Sequence, residues 1–177
     1  MTIDDFRIEE QKRKHEGAKT RSFQIHAHFF AVSMPTEIFR TNSADETIAL
    51  GAKIAPTIRD ARIVLLRGDL GAGKTTLVKG IAEAFQAASQ DDVTSPTFTL
   101  IHEYRGPERA LYHIDLYRID TERELATLGL EELSNEDGAV LLIEWGEKFE
   151  RLERLRDFEI VLERTGENSR RISINRK

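Results

Sequence analysis

The sequence predicts an α/β domain of three layers around a mixed, mainly parallel central sheet, and three observations lead there. Apolar runs of strand length alternate with segments of helical periodicity along most of the chain. A glycine-rich loop at residues 68–75 joins one such run to an apolar-faced helix. An Arg105-Gly106-Pro107 turn between two strand-like runs makes part of the sheet antiparallel.

Taken in order, residues 1–33 are expected to form a poorly ordered N-terminal extension and residues 34–177 the domain itself. The first twenty residues carry dense mixed charge and too little apolar surface to offset the entropy of ordering, although a short helix over 4–15 competes. In residues 22–32, Phe23, Ile25, Ala27 and Phe29 alternate with Gln24, His26 and His28, as in a strand or an extended arm. A start at Met34 would leave a self-sufficient domain. Ser43-Ala44-Asp45-Glu46 reads as a capping box, with Ile48, Leu50 and Ile54 on the helix it opens and Pro56 limiting its run. Residues 62–67, RIVLLR, suit a strand buried on both faces. A helix from about Lys74 follows, with Leu77, Val78, Ile81, Ala82 and Phe85 on one side. Further strands are expected at 97–104, 110–116, 139–145, 158–164 and 170–176, and one helix across 121–133, with Thr121 and Glu124 at its start.

Composition excludes several classes. The chain has 177 residues and a formal net charge of −5, which disfavours a strongly basic nucleic-acid binder but not a local basic patch. It has no cysteine, so disulfides, thiolate metal sites and thiol nucleophiles are absent. Of its five histidines, His102 and His113 stand alone in sequence. No span approaches the length of about 20 apolar residues that crosses a bilayer. The first 23 residues mix both charges and lack the apolar core of a signal peptide. A cytoplasmic protein without membrane contact is expected.

Gly68-Asp69-Leu70-Gly71-Ala72-Gly73-Lys74-Thr75 matches the pattern G-x-x-x-x-G-K-[ST]. It lies between a buried strand and a helix, where the chemistry requires it. Such a loop turns its N–H groups inward as an anion nest, and the helix start adds partial positive charge. Lys74 is expected to reach the β- and γ-phosphates, Thr75 a magnesium ion, and Thr76 the α-phosphate.

Two acids end apolar strands expected to flank the loop's strand, Asp115 after ALYHI and Glu144 after VLLI. Either can hold a magnesium-bound water while the other orients the attacking water. Thr94-Ser95-Pro96-Thr97 reads either as a γ-phosphate-sensing segment or as a plain turn. Trp145, the single tryptophan, follows Glu144; it reads as a site-stacking ring or, more commonly, a core or docking residue. His113 shares a strand face with Asp115 and is read as packing.

Six blocks together resemble one family. They are TNSADETIALG (41–51), LRGDLGAGKTTLVKGIAEAF (66–85), VTSPTFTLIHEY (93–104), LYHIDLYRI (111–119), ELATLGLEEL (124–133) and LLIEWGEKF (141–149). Their order and content resemble the TsaE (YjeE) family, the ATPase component of tRNA threonylcarbamoyladenosine biosynthesis. The resemblance implies a P-loop NTPase domain that binds ATP and Mg2+, with Gly68 to Thr76 on the nucleotide. It also implies Thr75 and Glu144 near magnesium, Asp115 as a Walker-B-like acid and, more distantly, Ser43 near the adenine. TsaB and TsaD homologues would be the partners, with tRNA contact mainly through them. Residues 1–33 have no counterpart in the resemblance. Arg170 or Arg171 could approach the nucleotide, though a solvated strand edge is the expectation for both.

A small-molecule kinase is the competing class. Between Gly80 and Asp115, however, only Arg105 and Arg109 could form a lid over phosphates, and both lie at one turn. A GTPase is disfavoured because no N-K-x-D guanine-reading motif occurs. A nucleotide-bound adaptor without chemistry fits poorly with an intact Lys74, Thr75, Asp115 and Glu144.

Overall fold

The computed structural model describes residues 36–177; the expected extension, with its helix over 4–15 and its strand over 22–32, lies outside the described residues. The described chain begins with β1 (Glu37–Thr41), α1 (Ala44–Ile58), β2 (Ile63–Arg67) and α2 (Lys74–Ala84). It continues with β3 (Ile101–Arg105), β4 (Ala110–Asp115), α3 (Glu122–Ala126) and α4 (Leu130–Ser134). The last part holds β5 (Ala139–Glu144), a 3-10 turn (Gly146–Lys148), α5 (Glu150–Leu155), β6 (Phe158–Arg164) and β7 (Arg170–Arg176).

The strands form one sheet in the order β1-β7-β6-β2-β5-β4-β3. β6, β2, β5 and β4 run parallel, while β3 at one edge and β7 and β1 at the other pair antiparallel. Burial explains the arrangement. β4 and β5 are buried at every position, as strands covered on both faces must be, whereas β6 alternates buried with half-buried residues. On one face Val64, Leu66, Leu142, Ile160 and Ile172 pack under Ile54 and Ile58 of α1 and Leu77 and Ile81 of α2. On the other, Leu65, Ile114, Leu141 and Ile143 pack under Leu125, Leu130 and Leu152 of the short helices. That is the expected three-layer α/β domain.

α1 and α2 approach closely because glycine faces glycine. A Cβ on Gly51 would strike the Leu77 carbonyl, and one on Gly80 the Ile48 carbonyl. This close approach fixes α2, and hence the loop that precedes it, against a helix held to the sheet by its own apolar side.

Several expectations need correction. β1 has no counterpart among the expected strands: an edge strand of sequence EIFRT, mostly exposed, gives little periodic signal. The strand expected at 97–104 starts only at Ile101, because Leu100 adopts φ 66 and its N–H donates to the Pro96 carbonyl at 2.6 Å. The helix expected across 121–133 is two, α3 and α4, broken where Gly129 takes φ 64, a left-handed conformation that glycine reaches at little cost. The capping box at Thr121 and Glu124 forms as expected. At α1, Ser43 Oγ accepts from the Glu46 N–H, but the Glu46 carboxylate reaches back to Asn42 N–H at 2.7 Å rather than to Ser43. Finally, β4 does not flank β2. β5 stands between them, so Asp115 is one strand further from the loop than expected.

Candidate active site

The loop leaves β2 after Arg67 and returns into α2 at Lys74. Gly73 at φ 104 makes that return, a conformation an L side chain resists. The first turn of α2 has no side-chain cap, so its N–H groups face the loop opening. Ala72 is buried beneath the loop, while Leu70 at its tip is 83% exposed. Among the described residues a Cβ on Gly71 would meet nothing within 4 Å, so they leave the apex open above that residue.

Lys74 is only 4% exposed and is turned along its own loop. Its Nζ donates to Gly68 O at 2.7 Å and to Asp69 O at 3.2 Å. It lies 3.6 Å from Glu144 Oε2 and 4.5 Å from the centre of the Trp145 ring. A cation held this deeply is tolerated because oxygen and π-electron partners surround it. Trp145 reaches that position through φ 62, unusual for so bulky a residue, and its ring leans on Tyr117 at 5.3 Å. The structure thus puts the ring against the site lysine while also packing it on the core.

Glu144 ends β5 beside the loop's strand and is buried. Its Oε1 accepts from Thr75 Oγ1 at 3.2 Å and from His113 Nε2 at 2.8 Å. His113 is fully buried, as expected of packing, but it packs against Glu144, and among the described residues its Nδ1 has no hydrogen-bond partner. The signal lies in its position two residues before Asp115, inside an otherwise apolar strand. The partner carries no such signal, since β5 is distant in sequence.

Asp115 stands directly beside Glu144 in the parallel register of β4 and β5. Its surroundings are neutral. Thr97 Oγ1 donates to Oδ2 at 2.6 Å, Ser95 Oγ lies 3.4 Å from the same oxygen, and the Tyr117 N–H donates to Oδ1 at 2.9 Å. The Ser95–Thr97 segment thus grips one of the two acids as it leads towards β3. Asp115, His113 and Glu144 all project to the face that carries α2, following the alternation of Leu111 and Leu142.

Ser43 stands apart. Its hydroxyl caps α1, and the neighbouring Asn42 meets Ser169 at 3.2 Å. Thr76 is half-buried in the first turn of α2. Arg171 matches the expected solvated edge, exposed and paired with Glu163 at 3.1 Å. Arg170 does not: it turns inward against Gly73.

The donor set suits a magnesium–nucleotide pair. The Glu144 carboxylate and the Thr75 hydroxyl meet at a helix start whose N–H groups carry no side-chain cap, and Asp115 stands beside Glu144 one strand further out. Magnesium is held by one or two carboxylates together with phosphate oxygens, so a closed protein cage is not needed. The open apex at Gly71 leaves room for the phosphates.

A parallel-centred sheet, a strand–glycine loop–helix unit and acids on the adjoining strand ends define a P-loop domain. The family model described as threonylcarbamoyl adenosine biosynthesis protein TsaE matches residues 41–172. The tRNA threonylcarbamoyladenosine biosynthesis protein TsaE of Bacillus subtilis is 39% identical over 135 residues, 76% of this chain and 82% of the relative. Its namesake from Aquifex aeolicus is 36% identical over 135 residues, covering 76% and 92%. The crystal structure of Bacillus subtilis YdiB superposes with a TM-score of 0.62 at 34% identity, over 80% of this chain and 86% of that one. The chain belongs to the TsaE family.

Proposed function

We propose that this protein binds and hydrolyses ATP in the threonylcarbamoyl modification of tRNA adenosine next to the anticodon, acting on a TsaB–TsaD pair. The observation that carries this reading is the convergence of Lys74, Thr75 and Glu144 at one loop, with Asp115 alongside. The names of the TsaE relatives supply the pathway. The net charge of −5 fits tRNA contact made mainly by partners.

In this reading the backbone N–H groups of Gly68 to Thr76 cradle the phosphates, and Lys74 exchanges its bonds to Gly68 O and Asp69 O for phosphate oxygens. Thr75 and Glu144, already hydrogen-bonded to each other, would hold magnesium, with His113 fixing the carboxylate's orientation. Magnesium held there would neutralise charge developing on the phosphates. Asp115 orients the attacking water, and Ser95 and Thr97 hold its carboxylate in line.

ATP turnover by the isolated chain, with and without the TsaB–TsaD pair, tests the proposal. Turnover should appear or rise with the pair, and Lys74→Ala should abolish it. Removing a charge-assisted hydrogen bond to the γ-phosphate costs about 1.5–3 kcal/mol in binding alone. Phosphate transferred to a small acceptor instead of water, or near-normal turnover by Lys74→Ala, would overturn the reading.

A further inference from the structure

Arg170 and Arg171 are adjacent in sequence and sit on opposite faces of β7. Arg171 faces away from α1 and α2 and pairs with Glu163. Arg170 shares its face with Ile172 and Ile174, which are buried under α1 and α2. Its backbone is held on both sides, opposite Arg164 in β6 and Thr41 in β1. The turn before it is pinned by Arg164 donating to the Gly166 and Glu167 carbonyls and by the hydrogen bond between Ser169 and Asn42. From this fixed base the side chain reaches the phosphate loop. A Cβ on Gly73 would lie 3.4 Å from Arg170 Nε and 3.9 Å from its Cδ.

Among the described residues Arg170 has neither a carboxylate partner nor a hydrogen bond from its guanidinium. Its position is electrostatically unfavourable on its own. Gly73 caps α2, so the guanidinium lies at the positive end of that helix, in the same loop as Lys74. An anion between them removes the repulsion. The strand order adds direction: β7 and β6 lie on one side of β2, and β5 and β4, which carry Glu144 and Asp115, lie on the other. Arg170 therefore approaches the loop from the flank opposite the acids.

We propose that Arg170 is a nucleotide-contacting residue whose guanidinium binds the α- and β-phosphates, at the end of the polyphosphate away from the acids. The inference rests on the ATP reading above. It assigns Arg170 to affinity and the acids to turnover, so its effect belongs in KM rather than kcat.

The test measures Mg-ADP and Mg-ATP affinity and saturating turnover for the full chain as wild type, Arg170→Gln, Arg170→Lys and Arg171→Gln, with the melting temperature of each. Arg170→Gln should weaken both nucleotides by about tenfold or more and to a similar extent, since both carry the α- and β-phosphates. Saturating turnover should change little. Arg170→Lys should recover part of the loss, and Arg171→Gln should bind as wild type. Wild-type affinity in Arg170→Gln overturns the inference and leaves the ATP reading intact. If wild type itself binds neither nucleotide, both fall. Loss of ATP but not ADP affinity would move Arg170 to the γ-phosphate and overturn the α,β assignment. If Arg170→Gln melts early, Arg170→Lys decides: a stable Arg170→Lys that binds both nucleotides more tightly than Arg170→Gln supports charge as the cause, and a stable Arg170→Lys that binds no more tightly overturns it.

Discussion

Two carboxylates stand side by side at the ends of β4 and β5, in very different company. Glu144 is surrounded by hydrogen-bond donors of the phosphate loop and the core: Thr75, the Lys74 ammonium and His113. Asp115 is held by neutral groups from chain segments that lead into and out of the sheet, Thr97, Ser95 and the Tyr117 N–H. The first environment ties its acid to the glycine-rich loop and α2, and the second ties its acid to the segment leading into β3 and the one leaving β4. The two sets of donors differ because β5 adjoins the loop's strand and β4 does not.

Breaking Glu144 should have the largest effect. Glu144→Gln is expected to lower single-turnover hydrolysis by at least about a hundredfold and to weaken magnesium-dependent nucleotide binding as well. Full hydrolysis by this variant with the partner proteins present removes Glu144 from the mechanism. Asp115→Asn sharpens the contrast: turnover should fall comparably while Mg-ATP affinity stays near wild type. If affinity falls in step with turnover in Asp115→Asn and survives in Glu144→Gln, the two roles are exchanged.

Removing a supporting group should cost less. Thr97→Val keeps shape and deletes the 2.6 Å donor to Asp115, with an expected loss of about tenfold in turnover and little change in affinity. Turnover equal to wild type would make the Ser95–Thr97 segment a plain turn. His113→Phe fills the same buried space but leaves Glu144 short of a donor. Thermal unfolding should then show a loss of about 1–3 kcal/mol, because a buried acceptor loses its bond. His113→Gln, which can still donate, should restore part of both stability and turnover.

The smallest effect lies away from the site. Glu124 closes the capping box of α3, and hydrogen bonds from the Asp120 N–H and then the Thr121 hydroxyl and N–H hold its carboxyl below the usual carboxylate range. A depressed folded-state value means stability that is present above the unfolded value and lost as pH falls through the folded one. The difference in melting temperature between wild type and Glu124→Gln should therefore shrink as pH drops below about 4. A difference independent of pH would show that the carboxylate's charge is irrelevant to the cap.

Some of this is legible in the sequence itself. Gly68 to Thr75 declares a phosphate loop because the fold demands a fixed local spacing of glycine, lysine and hydroxyl. The burial of β2 and β5 follows from their apolar runs and that of β4 from a run broken only by His113 before its terminal acid, and the face shared by His113 and Asp115 follows from a period of two. The same period separates Arg170 from Arg171, a signal present in RRISI.

Tertiary structure decided the rest, because pairing between distant segments is not written in local pattern. It inserted β5 between β2 and β4 and so gave the inner position to Glu144 rather than Asp115. It turned Thr97 out of the expected strand and onto an acid 18 residues away, and it gave His113 a partner 31 residues on. It also carried a strand-end arginine near the end of the chain to Gly73, through pairing with β6 and β1. Local sequence determined which groups face the core side of the sheet; the order of the strands determined which of them meet.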